Sequence, residues 1–240
     1  MIVFRRMAAA LLAVVIVVGV TVKAAAVEPP FGPGEVIHYS VKQLGVKVGE
    51  ATLAFSGDTY SDGKKFILVV FTAKGATFYD EERIFLDQTS FLPLKVLRDL
   101  NIFGNKETIL EEYDQAQGVV RITKTADGKT TVQSISKPGP VENLYGFLYR
   151  TRLSGAVSVG KSLDMRLPTV NVRLEGREAL KFNAAGQSFA AVRMQSVPSK
   201  YMIWFDVGQY RLPLRIAGAL GPANTVMTMI SVESGKELKP

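Results

Sequence analysis

The chain has 240 residues, a formal net charge of +7, one histidine and no cysteine. These totals exclude disulfides, thiol catalysis, a thiolate zinc site, a His-based triad and a multi-histidine metal centre, while leaving enough chain to bury a sizeable core. The basic residues are scattered rather than gathered in a stripe or patch, which argues against nucleic-acid binding.

The first residues read as an export leader. Arg5 and Arg6 precede an uncharged apolar run from Met7 to Val22, and Ala24-Ala25-Ala26 follows it. A basic start, an apolar run shorter than the ~20 residues of a spanning helix, and small residues at its end mark a secretory signal. The reading is a signal peptide over 1–26, cleaved after Ala26, and a single β-rich domain over 27–240. Loss of Arg5, Arg6 and Lys23 lowers the charge from +7 to +4. With no cysteine to carry a lipid, the expected product is periplasmic, unlipidated and without a remaining membrane span. The sequence around Arg5-Arg6 does not fit twin-arginine export.

Most of the remainder has the period of two that a strand with one buried face shows. Ile37, Tyr39 and Val41 alternate with His38, Ser40 and Lys42, and Ala51, Leu53 and Phe55 continue the pattern after a bend at Gly45 and Gly49. Ser61-Asp62-Gly63 is a turn. Lys65 to Ala73 is apolar at both parities, which suits a strand buried on both faces. Strands follow over Phe78–Leu86, Leu94–Ile102 and Lys106–Tyr113. Val119–Thr125 and Lys129–Ile135 form a hairpin through Asp127-Gly128, a type I′ signal.

One segment breaks the alternation. After Lys137-Pro138-Gly139-Pro140, the stretch Val141–Leu153 places Leu144, Phe147, Leu148 and Thr151 on one helical face. Glu142 falls in its first turn, Arg150 and Arg152 in its last, and Ser154-Gly155 ends it. Gly146 weakens this helix by about 1 kcal/mol relative to Ala. Strands resume over Lys161–Leu167, Val170–Leu180, Gln187–Val197, Tyr201–Asp206, Arg211–Ile216 and Asn224–Val232.

The fold class is therefore all-β: one antiparallel domain shaped as an open or closed curved barrel, with a short helix near 141–153 across a mouth or in the concave side. A two-sheet sandwich is the competing packing. In the strand at Tyr201–Asp206, Tyr201, Ile203 and Phe205 face one side and Met202, Trp204 and Asp206 the other. The Trp204 set is expected near the helix.

Chemistry-bearing patterns are sparse. His38 sits opposite Ile37 and Tyr39 and reads as a surface or hydrogen-bonded histidine. Asp80-Glu81-Glu82 and Glu111-Glu112 could hold a hard cation or act as an acid–base pair. Adjacent strand residues point to opposite faces, so the expectation is a solvated face and no metal site. No glycine spacing forms a phosphate loop, and no serine lies in a nucleophile elbow. No cofactor is expected. A concave β surface mouthed by a helix suits an apolar ligand, with Trp204, Tyr145, Tyr149 and Phe71 as the expected lining. Core packing is the plainer role for the same aromatics.

Four pieces of the chain carry a family resemblance. They are Gly34-Glu35 with Tyr39, Gly45 and Gly49; Asp87 through Leu92-Pro93-Leu94; Val141 to Arg152 with Leu144, Tyr149 and Arg150; and Ile203-Trp204-Phe205-Asp206 to Leu212-Pro213-Leu214. In this order the chain resembles the bacterial family of exported proteins called domain of unknown function 3108. Asn143 departs from it, standing where a small serine-like residue is expected. The resemblance implies a β-rich envelope protein, similar in outline to the open-barrel lipoprotein carriers of the periplasm. It transfers no catalytic residue.

The leading expectation is a periplasmic protein, not an enzyme, that binds or carries an apolar, lipid-like ligand. The alternative is an interaction module of the envelope that meets a protein partner through its surface or a sheet edge. A carboxylate-based hydrolase ranks last.

Overall fold

The alternating stretches all become strands in the computed structural model, which describes residues 29–220 and 225–234. The expected signal at 1–26 lies outside the described residues. The strands are β1 (Glu35–Gln43), β2 (Val46–Ser61), β3 (Lys64–Gly75), β4 (Phe78–Leu86), β5 (Pro93–Ile102), β6 (Asn105–Asp114), β7 (Val119–Ala126) and β8 (Lys129–Ser136). After helix α1 (Leu144–Ser154) come β9 (Ser162–Arg166), β10 (Asn171–Ala184), β11 (Gln187–Val197), β12 (Met202–Asp206), β13 (Pro213–Ala217) and β14 (Thr225–Glu233).

All fourteen strands form one antiparallel sheet, in the order β8-β7-β6-β5-β4-β3-β2-β1-β14-β13-β12-β11-β10-β9. The sheet is continuous rather than a two-sheet sandwich, and hydrogen bonding does not close it into a barrel. The two ends of the domain meet in its middle, where Val36 to Gln43 pair with Thr225 to Glu233. The edges, β8 and β9, are consecutive in sequence, and the segment between them carries α1. That segment ties one edge to the other: Glu142 N donates to Arg166 O at 2.7 Å, and Lys137 Nζ to Asn171 Oδ1 at 2.9 Å.

Alternation puts one apolar set on the concave face. Ile37, Leu53 and Phe71 lie abreast on β1, β2 and β3, and all are buried. On β3 the other parity is covered only in part: Phe66 is buried against Phe85, while Leu68 and Val70 are half-buried, so the two-sided burial its composition suggested holds at one end of the strand alone.

The helix occupies the concavity. Asn143 caps it, its Oδ1 accepting from Tyr145 N at 2.9 Å and Gly146 N at 3.3 Å, and Gly155 ends it at φ 61°. It starts three residues later than the periodicity suggested, because Asn143 is extended, at φ −103° and ψ 146°, and the amides of Val141 and Glu142 before it bond to Gln115 Oε1 and Arg166 O. It is also not amphipathic: Leu144 to Tyr149, Thr151 and Arg152 are all buried. A helix lying in a curled sheet has no solvent face to keep polar. Gly146 is part of this seating. A β-carbon there would lie 3.0 Å from Leu86 Cδ2, so the glycine lets the helix approach β4.

Candidate functional site

The helix and the concave face beneath it bring three of the four expected lining residues together. The Phe71 and Tyr145 rings stack with centroids 3.9 Å apart and an interplanar angle of 12°. Tyr149 lies 4.8 Å from Phe31 and 5.3 Å from Phe55. Phe71, Tyr145 and Tyr149 are at most 2% exposed, so the helix side chains themselves fill the space they line.

Trp204 is elsewhere. It is Phe205, on the other parity of β12, that shares a small pocket with Thr151 and Arg152 of the helix. Trp204 sits on the opposite face, in register between Arg193 and Arg215, with the Arg215 guanidinium 4.9 Å from its ring. It is buried there because the β10–β11 hairpin folds back over that face. Phe182 near the hairpin tip reaches within 6.2 Å of Trp204, and β10 touches β14 although three strands separate them in the sheet. Sequence parity separated the two faces correctly but could not show that a hairpin covers the outer one.

A polar latch holds each end of the helix. At the C-terminal end, Arg152 is fully buried and forms a two-pronged ion pair with Glu35: Nη1 to Oε1 at 2.6 Å and Nη2 to Oε2 at 2.9 Å. Arg152 also donates to Tyr210 O and lies 4.8 Å from the Phe31 ring. The Tyr149 hydroxyl donates to Glu35 Oε1 at 3.3 Å. Every charged atom taken out of water therefore has a partner, the condition on which a buried pair is tolerated. Burial, with the Glu35 charge adding to it, holds the Tyr149 phenol well above its usual range.

The latch at the N-terminal end is built from the acidic cluster that was expected to be solvated. Asp80 and Glu82 are buried instead. Arg98 donates from Nε to Asp80 Oδ1 at 2.8 Å and from Nη2 to Oδ2 at 2.6 Å, and its Nε lies 3.4 Å from Glu82 Oε1. Asn143 Nδ2 donates to Glu82 Oε2 at 2.9 Å while its Oδ1 caps α1, so one side chain joins the acid to the helix. Nearby, the Tyr113 hydroxyl donates to Glu111. Burial pushes Glu82 up to about 7. Arg98 and Asn143 oppose this, and Asp80 and Glu111 add to it. Burial raises Glu111 as well, against Tyr113 and Arg98. The missed signal was i, i+2 spacing: Asp80 and Glu82 share the parity of Ile84 and Leu86, which are core residues.

His38, on the half-exposed side of β1, meets Glu233 at 3.0 Å. Glu142 precedes the cap rather than lying in the first turn, and pairs with Arg150. Among the described residues no group of three or more His, Asp or Glu side chains is arranged to hold a metal ion, and no helix is long and apolar enough to cross a membrane.

A family model described as "Protein of unknown function (DUF3108)" matches residues 37–229. The chain belongs to this family. The DUF3108 match takes in Asp80, Glu82, Arg98, Asn143 and Arg152, hence the whole of the N-terminal latch and the helix side of the C-terminal one, with Glu35 just before it. No curated protein matches the chain. A crystal structure of a protein described as a putative lipoprotein from Parabacteroides distasonis ATCC 8503 aligns over 85% of this chain and 98% of that one, at 7% identity and a TM-score of 0.32. A likeness that loose carries no argument about this chain.

Proposed function

We propose that this DUF3108 chain is an exported envelope protein that holds an apolar, lipid-like ligand on the concave face of its sheet. In this reading α1 occupies the ligand's place when none is bound. The observation that carries it is the seating of the helix. One eleven-residue helix, buried on nearly every side, fills an apolar concavity in a sheet whose edges are not hydrogen-bonded together. The helix is fixed at both ends by side-chain pairs, Arg152 with Glu35 and Asn143 with Glu82, which can part and re-form. Phe71, Tyr145 and Tyr149 then belong to the ligand's surroundings, whereas Trp204, on the far face, does not. Catalysis is no part of this reading, since the buried carboxylates are engaged by Arg98, Asn143 and Tyr113 within the fold.

The filled interior also suits the second reading, an interaction module working through its surface. Native mass spectrometry of the chain purified from its own envelope separates the two. A bound mass of lipid size that is released on denaturation supports the carrier. A bare chain, or one that carries only a protein partner, rules it out.

A further inference from the structure

We propose that the end of the sheet bearing the β1–β2 and β5–β6 turns docks on an anionic phospholipid surface. An antiparallel meander sends alternate turns to opposite ends, so the β1–β2, β3–β4, β5–β6 and β7–β8 turns share one rim. On that rim Leu44 is 79% exposed, Phe103 76% and Val46 67%. Four strand spacings separate the two apolar turns, about 20 Å. The β5–β6 turn is braced against its neighbour, since Phe103 N donates to Thr77 O at 2.8 Å.

Turn chemistry does not ask for these residues. Leu44 and Phe103 both stand at positive φ, 48° and 52°, directly before a glycine. The same place in the β2–β3 and β7–β8 turns is taken by Asp62 and Asp127, at φ 51°. Asp and Asn tolerate that conformation, whereas bulky apolar residues adopt it at a cost. Phe91, also at positive φ, is accounted for by packing, since its ring lies 6.2 Å from Phe31. Leu44 and Phe103 have no such packing. Each combines an unfavourable backbone with an exposed apolar side chain, which marks a contact made outside the chain.

Charge names the partner. Lys42, Lys74 and Lys106 stand exposed at the shoulders of these turns, and Lys47 beside them pairs with Glu50 at 2.8 Å. Of the four turns on this rim only β7–β8 carries an acid, Asp127, whereas the turns at the opposite end carry Asp62, Asp87 and Asp114, with Lys64 and Lys65 at the β2–β3 shoulder. Apolar tips ringed by lysine suit the interface of a bilayer with acidic head groups, the tips entering the acyl boundary and the ammonium groups staying among the phosphates. This assignment does not depend on what the concave face holds.

The absence of cysteine makes the test direct. An environment-sensitive fluorophore is placed through Asn105→Cys on the rim, or through Asp62→Cys at the far end, in the chain as purified from the envelope. Vesicles contain phosphatidylglycerol, phosphatidylcholine and a lipid-borne quencher. The label at 105 is expected to be quenched and the label at 62 spared. Removing Lys42, Lys74 or Lys106 should raise the lipid concentration needed for quenching about fivefold each. Leu44→Asn with Phe103→Asn should raise it at least tenfold while the melting temperature holds or rises. Equal quenching at both positions, or unchanged quenching at 105 in the double-Asn chain, overturns the proposal.

Discussion

Replacing Glu82 by Gln isolates the charge in the N-terminal latch from its hydrogen bond. A glutamine keeps an acceptor for Asn143 Nδ2, and Arg98 keeps both of its bonds to Asp80. The carboxylate charge is lost, and with it the 3.4 Å contact of Oε1 with Arg98 Nε, where the amide nitrogen now stands. Burial raises Glu82 from 4.5 to about 7, so the folded state disfavours its ionised form. Below pH 4.5 the group is protonated folded or unfolded, and it adds nothing to the pH dependence. Between pH 4.5 and 7 the unfolded chain ionises first, and the fold loses stability as pH rises. Above pH 7 the loss is complete, at up to about 3 kcal/mol from 1.36 kcal/mol per pK unit. At ~2–4 °C per kcal/mol for a domain of this size, Glu82→Gln should melt up to about 10 °C above the parent at pH 8. At pH 4 the two should melt together. Thermal melts followed by circular dichroism at both pH values check this. The same difference at pH 4 and pH 8, or a variant less stable at pH 8, would show that Glu82 is not held as a disfavoured buried charge.

Arg152→Met alone strands the Glu35 carboxylate inside the fold and should cost about 3–5 kcal/mol in urea unfolding. Adding Glu35→Leu should recover much of that loss. Asn143→Ala removes the helix cap and the donor to Glu82 together, and about 1–2 kcal/mol of stability should go with them. Trp204 is the only tryptophan and is covered by the β10–β11 hairpin. Phe182→Ala should therefore shift the emission maximum to longer wavelength, with the far-ultraviolet spectrum unchanged. An unmoved maximum would count against the hairpin as its cover.

The strands were legible because each has one face in the concavity, and period two follows directly from that. β4 (Phe78–Leu86) and β11 (Gln187–Val197) have the bounds that their patterns predicted. The helix was found from Leu144, Phe147, Leu148 and Thr151, but its environment was not. Periodicity reports one buried face and is blind to a second when Tyr145 and Tyr149 supply it with aromatic rings. The latches were hidden for a related reason. Asp80, Glu82 and Arg98 look like surface charges until a register places Glu82 beside Arg98 on the concave side. Pairing across strands is a tertiary fact, and neither charge announces its partner locally. Trp204 fails in the other direction: its parity was read correctly, but its burial comes from a long hairpin bending over the sheet.

If α1 holds the ligand's place, it must leave its seat for a ligand to enter. A disulfide between Gly146→Cys and Leu86→Cys is the bond to hold it there: a β-carbon at 146 lies 3.0 Å from Leu86 Cδ2, and Leu86→Cys puts a sulfur at the Cγ position behind that atom. Native mass spectrometry of this double variant, purified from the envelope oxidised and again after reduction and lipid exposure, measures the claim directly. A lipid-sized mass is expected on the parent and the reduced variant, and none on the oxidised variant. The same bound mass on the oxidised variant would contradict it.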